Sequence, residues 1–168
     1  MTAQRQERNG LRPGFATIGL AALLMLPVGA TQPAQATTTE RVVVDRHSGL
    51  AIDGFDPVAY FTDHAPRRGD AEFEVASSGA IWRFANSSNR AAFAARPDIY
   101  APQFGGYDPV GVSRGVPLQG NALVWLVSGQ RLYLFSTEQD RDVFAADPER
   151  YLREARRQWP ALLTTLAK

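Results

Sequence analysis

A five-residue segment, Gly54-Phe55-Asp56-Pro57-Val58, returns as Gly106-Tyr107-Asp108-Pro109-Val110. The residues downstream of each copy return too. Ile81-Trp82-Arg83-Phe84, then Phe93, Pro97 and Tyr100, are answered by Leu132-Tyr133-Leu134-Phe135, then Phe144, Pro148 and Tyr151. The interval is 52 residues at the aspartates (108 − 56) and 51 at the later phenylalanines (144 − 93), so one residue is lost between them. Chance can repeat an Asp-Pro-Val triplet. It does not readily place four later positions in register as well. A chain that repeats in this way is built from two like supersecondary units.

Each unit reads as a β-hairpin followed by a helix. Phe73 and Val75 alternate with Glu72 and Glu74, the pattern of a half-buried strand. Ser77-Ser78-Gly79 is turn chemistry, and Ile81–Phe84 is the returning strand. Asn86 is a fitting N-cap for a helix that runs through Arg96 and is closed by Pro97. In the second unit Leu123–Val127 is apolar throughout, Ser128-Gly129 turns the chain, and Leu132–Phe135 returns. Ser136 and Gln139 have the spacing of a capping box, in which each side chain satisfies the other residue's free N–H. Beyond it, Tyr151, Leu152, Ala155, Trp159, Leu162, Leu163 and Leu166 form one stripe of a helix, opposite Arg153, Glu154, Arg156 and Arg157. Pro160 should kink or restart that helix after Trp159. The expected fold class is α+β. Two pseudo-repeated hairpin–helix units (residues 54–104 and 106–160) pack as one domain, strands meeting and helices outside, with a C-terminal amphipathic helix.

The beginning of the chain belongs to targeting rather than to the fold. Arg5, Arg8 and Arg12 precede an apolar run over residues 15–30, and Ala34-Gln35-Ala36 comes next. This is the pattern of a cleavable secretory signal over residues 1–36. The run is shorter than the roughly 20 residues a spanning helix needs, so no stable membrane anchor is expected after cleavage. Removing residues 1–36 takes away three Arg and one Glu, and the charge balance of 18 − 17 becomes 15 − 16. Such a balance carries no electrostatic footprint for nucleic acid. A periplasmic or secreted location is expected, with residues 37–49 as an N-terminal extension and 50–168 as the domain. Exported chains often carry disulfides, but this one has no cysteine. That excludes thiol redox chemistry, thiolate metal ligation and cysteine nucleophiles.

The Phe–Phe–Pro–Tyr spacing that closes each half resembles the YHS domain. In its metal-binding versions an Asp-Pro-Val-Cys opening precedes a hairpin, and a Phe-Cys-Ser-x-x-Cys stretch comes after it. Here the frame is kept and the thiols are replaced. Ala59 and Gly111 stand after the two Asp-Pro-Val triplets, and Ala85, Asn89, Ser136 and Asp140 stand at the closing positions. The chain is more closely similar to the exported bacterial branch of the family. It shares the Gly-x-Asp-Pro-Val-Ala-Tyr-Phe opening (residues 54–61), the Trp-Arg-Phe strand (82–84) and the Tyr-Ala-Pro-Gln-Phe-Gly-Gly-Tyr segment (100–107). In many members of that branch cysteine comes after Gly-Gly-Tyr, and in some selenocysteine. Here Asp108 does.

Asp56 and Asp108 each precede Pro-Val, and each is expected to cap a turn by accepting backbone N–H bonds. The competing reading makes Asp108 an oxygen ligand or general base. Tyr60 and Tyr107 are expected to face each other across a cleft shared by the halves. Asp56, Tyr60, Tyr107 and Asp108 are therefore the candidate ligand-binding residues. His47 and His64 are the only histidines. With Asp108 they are the candidate metal set, although both sit in polar stretches where a solvated loop residue is the simpler reading. Gly105-Gly106 is no phosphate loop, since no Lys-Ser/Thr comes after it. It suits a close backbone approach beside Tyr107. Ser113 lacks a matching histidine in any recognisable elbow motif.

These residues lead to a non-catalytic cell-envelope binding module that has lost its cysteine ligands. It would hold an unknown small ligand or partner protein, with no cofactor. The alternative is a copper, zinc or iron protein using Asp, His and Tyr ligands. An enzyme using Asp108 is the weakest reading, because no second catalytic partner is visible.

Overall fold

Residues with positive φ set the two hairpins. Ser78 and Gly79 (φ 53° and 78°) close the first, and Gly129 and Gln130 (φ 56° and 57°) close the second. Two left-handed residues in succession are what a tight two-residue hairpin loop requires, because their twist matches that of the strands. The computed structural model describes residues 41–166, so the signal segment expected over residues 1–36 lies outside the described residues. Strand β1 (Asp70–Ser77) pairs antiparallel with β2 (Ala80–Phe84), and β3 (Asn121–Ser128) with β4 (Arg131–Phe135). The register slips between Asp70 and Glu74 in the first hairpin and between Asn121 and Trp125 in the second. The second turn lies one residue later than Ser128-Gly129, in step with the first hairpin.

The helices keep the same order in both halves. They are α1 (Ala59–Thr62), α2 (Ser87–Ala95), α3 (Pro97–Tyr100), α4 (Pro109–Ser113), α5 (Glu138–Ala146) and α6 (Pro148–Leu166). Short 3-10 turns at Ile52–Gly54 and Gln103–Gly106 precede α1 and α4. From β1/β3 onward every pair of elements begins 51 residues apart, for instance Asp70 and Asn121 (121 − 70). The architecture is α+β. The strands of the two hairpins do not pair with each other, however, but form two separate two-stranded sheets. The halves meet through side chains instead.

Those side chains explain the layout. In the first half Phe73, Val75, Trp82, Phe84 and Phe93 pack together on one face of the hairpin, under α2. Their counterparts Val124, Leu126, Tyr133, Phe135 and Phe144 make a second cluster under α5. The other faces of the two hairpins differ. Ala122, Trp125, Val127, Leu132 and Leu134 turn the second hairpin's other face into the first cluster, against Ile52, Phe55 and Tyr60. The equivalent face of the first hairpin carries Glu74, Ala76 and Ile81, all exposed. Arg83 there is only partly buried, and it pairs with Glu74 at 2.7 Å. A strand covered on both faces reads as an apolar run and a strand covered on one face as an alternation. The two strand sequences differ in just this way.

The second half's opening residues Phe104, Tyr107 and Val112 find no third hairpin to pack on. Helix α6 covers them instead with Ala155, Trp159, Leu162 and Leu166. This accounts for the difference in length between α3 and α6, which begin at equivalent prolines. Pro160 lies inside α6 and does not end it. The backbone bond it cannot donate would go to Arg156, and both residues are exposed. The N-terminal extension expected over residues 37–49 is, from Arg41 on, part of the folded unit. Val42 and Val43 are buried, and Val43 N–H donates to the Gly105 carbonyl at 2.8 Å. Gly105 is held at φ 63°, and a Cβ there would lie 1.8 Å from the Arg41 carbonyl oxygen, so only glycine allows this crossing.

Candidate functional site

Asp56 and Asp108 are fully buried, and each sits at the start of a short helix. Asp56 Oδ1 accepts from the N–H groups of Val58 (2.8 Å) and Ala59 (3.4 Å). Its Oδ2 accepts from Ala85 N–H (2.8 Å) and the Asn89 side-chain amide (2.6 Å). Asp108 Oδ1 accepts from Val110 N–H (2.8 Å) and Gly111 N–H (3.4 Å). Its Oδ2 accepts from the N–H and the hydroxyl of Ser136, both at 2.8 Å. Each carboxylate therefore caps one helix and ties it to the end of a hairpin some 28 or 29 residues away. This is the capping role expected of an Asp before Pro-Val. Among the described residues, no buried side-chain nitrogen or oxygen lacks a partner.

Ala59, Ala85 and Asn89 converge on Asp56, and Gly111 and Ser136 converge on Asp108. Asn89 and Asp140 are the informative pair. Asn89 donates to Asp56. Asp140 is an acid, and the Ser136 hydroxyl lies 3.1 Å from its Oδ2 as well as 2.8 Å from Asp108. A hydroxyl has one proton to give. Ser136 therefore shares its proton between the two acids or gives it to one of them, and Asp140 Oδ2 also accepts from the Thr137 hydroxyl at 3.0 Å. Burial pushes the Asp108 carboxyl above its ordinary range, with hydrogen bonds from Ser136 and Val110 opposing it and the Asp140 charge adding to it. Because Ser136 is drawn to Asp108, the cap of α5 is not Ser136 with Gln139. It is Thr137, whose hydroxyl accepts from Asp140 N–H at 3.1 Å. Thr137 lies 51 residues after Asn86, the observed cap of α2 (137 − 86), so the repeat itself carried the signal.

Tyr60 and Tyr107 do not face each other across a cleft. Tyr60 lies wholly within the core between the halves, donates to the Ala122 carbonyl at 2.9 Å, and meets Trp125 edge-on at 5.3 Å. Burial, then the Asp56 and Asp53 charges, push its phenol far above its ordinary value. Tyr107 is buried in the cluster beneath α6. In the repeat, Tyr107 corresponds to Phe55 and Tyr60 to Val112, so the two tyrosines occupy different places. The structure thus brings the predicted ligand residues Asp56, Tyr60, Tyr107 and Asp108 into packed interior, not onto an open surface. His47 and His64 are exposed, whereas Asp108 is buried. Asp63 pairs with Arg67 at 2.7 Å. Among the described residues no group of three or more His, Asp or Glu is placed to hold a metal ion. The Ser113 hydroxyl donates to Val110 C=O at 2.7 Å, a local helix bond.

An open cleft does exist, formed by residues that the sequence pattern places in the extension, in a hairpin turn, at the Gly105-Gly106 approach and in the stripe of the last helix. It measures about 430 Å³ and is lined by Arg41, Val42, Ser78, Gly105, Trp159 and Leu163. Trp159 is held edge-on to Phe104 (5.6 Å) and tilted on Tyr107 (5.9 Å). The Gly105 crossing brings Arg41 and Val42 to the same spot. Trp159 belongs to the apolar stripe of α6, but it is only partly buried.

Compared with protein-family models, with curated proteins and with solved structures, the chain matches none.

Proposed function

We propose that the chain is a non-catalytic binding module of the bacterial cell envelope. It uses a YHS-type scaffold in which hydrogen bonds stand in the place of thiol ligands, and it holds a small ligand. One contrast supports this reading. The two Asp-Pro-Val carboxylates are occupied by four hydrogen bonds each, while the cleft beside Trp159 is open and lined by mixed apolar and polar groups. Small-molecule sites have this composition, with apolar walls and a few polar groups that fix orientation. The secretory pattern at the start of the chain supports the envelope location.

The test is a fragment screen on the uniformly ¹⁵N-labelled full-length chain, read by NMR. The reading predicts shift changes gathered at Val42, Gly105, Trp159 and Leu163. A screen in which no fragment moves these resonances at millimolar concentration would end it. The second reading, a copper, zinc or iron protein, draws on the meeting of Asp108 and Asp140 at one hydroxyl.

A further inference from the structure

We infer that the cleft beside Trp159 takes a small carboxylate with an apolar body. The inference rests on the binding-module reading and names the chemistry of the same site. Of the six residues that line the cleft, Arg41 alone is charged at neutral pH, and none is acidic. Val42, Trp159 and Leu163 supply the apolar contact, and Ser78 is the other polar residue of the lining.

A guanidinium recognises a planar carboxylate through two parallel N–H bonds, with directionality that an ammonium lacks. An indole beside it offers a flat apolar wall at low entropic cost, because its position is already fixed. Phe104 and Tyr107 fix Trp159 here. The backbone crossing at Gly105 fixes the Arg41 main chain, so the cation's anchor point is set before any ligand arrives. A cationic ligand would meet Arg41 with no compensating acid. A purely inorganic anion would leave the apolar walls in water. The carboxylate amphiphile satisfies both kinds of surface.

Octanoate, octanol and octylammonium, each kept monomeric at low ionic strength, are titrated into the full-length chain. The indole N–H resonance of Trp159, assigned with Trp159→Phe, is monitored. Octanoate should shift this resonance and bind about tenfold more tightly than octanol, the gain expected of one charge-assisted contact at a partly exposed site. Arg41→Gln should remove that tenfold advantage, bringing octanoate and octanol to similar affinity. Arg41 is exposed, so the variant should remain folded. Equal binding of octanoate and octanol, a preference for octylammonium, or an unchanged advantage in Arg41→Gln overturns the carboxylate inference while leaving a binding module in place. Silence of Trp159 toward all three probes overturns the inference. If the fragment screen is silent too, the binding-module reading fails with it.

Discussion

Asp56 and Asp108 hold the same place in two copies of one turn, yet their surroundings differ. In the first half the carboxylate is met by neutral donors only, including the Asn89 amide. In the second half the residue equivalent to Asn89 is Asp140, an acid, and the Ser136 hydroxyl lies between it and Asp108. The capping geometry is the same in both, so the fold needs the carboxylate as an acceptor and tolerates different neighbours behind it. The hairpins show a parallel contrast. The face that carries Glu74 and Arg83 in the first half carries Trp125 and Leu134 in the second. One face looks outward, and the other receives Tyr60 and Phe55.

The largest expected effect breaks the hairpin comparison. Trp125→Ala removes an aromatic wall from the junction and should cost about 3 kcal/mol. Glu74→Ala at the equivalent position loses only a surface ion pair and should cost less than about 0.5 kcal/mol. Urea unfolding of the two variants checks the difference, and similar costs would mean that the halves do not meet at Trp125.

A smaller effect makes the first half resemble the second. Asn89→Asp replaces a donor to Asp56 with an acid and should cost about 2 kcal/mol at neutral pH. That cost should shrink as acid protonates the new pair. A pH-independent loss would point to packing rather than charge.

The smallest effect makes the second half resemble the first. Asp140→Asn should stabilise the protein by about 1 kcal/mol at neutral pH. The Asp108 carboxyl titrates higher in the folded protein than in the unfolded chain, so the native state binds the proton more tightly. The Asp108 contribution is therefore fully present in acid, below the unfolded value, and is lost as pH rises through the folded value. Asp140→Asn should reduce that slope by the part the Asp140 charge adds, while the larger part due to burial stays. Parallel curves of stability against pH for the variant and the wild type would show that the Asp140 charge does not act on Asp108.

Much of this fold was legible because the chain states it twice. The first hairpin turn, the start of α2 and the capping role of both aspartates come from Ser78-Gly79, Asn86 and Asp-Pro-Val, whereas the second turn and the start of α5 each lie one residue later than their local signals. The short helices α1 and α4 were not legible. Four or five residues are too few to show a period, and their caps read equally well as turns. Pairing Tyr60 with Tyr107 by residue type fails, because the repeat pairs Tyr107 with Phe55. Keeping to the interval places both tyrosines in packing roles. The cleft had no local signature at all. It joins Arg41, Ser78, Gly105 and Trp159, which come from four distant parts of the chain. Trp159 itself fits a core stripe as well as it fits a ligand wall.

The two aspartates hold the framework together by accepting hydrogen bonds, and the binding we propose falls to the cleft. Elemental analysis of the protein, purified from its native compartment without chelators or affinity-tag metal, puts this division of labour at risk. No stoichiometric copper, zinc or iron is expected. A stoichiometric metal that is lost in Asp108→Asn but kept in Arg41→Gln would contradict it, and would make the Asp108–Asp140 pair the functional centre.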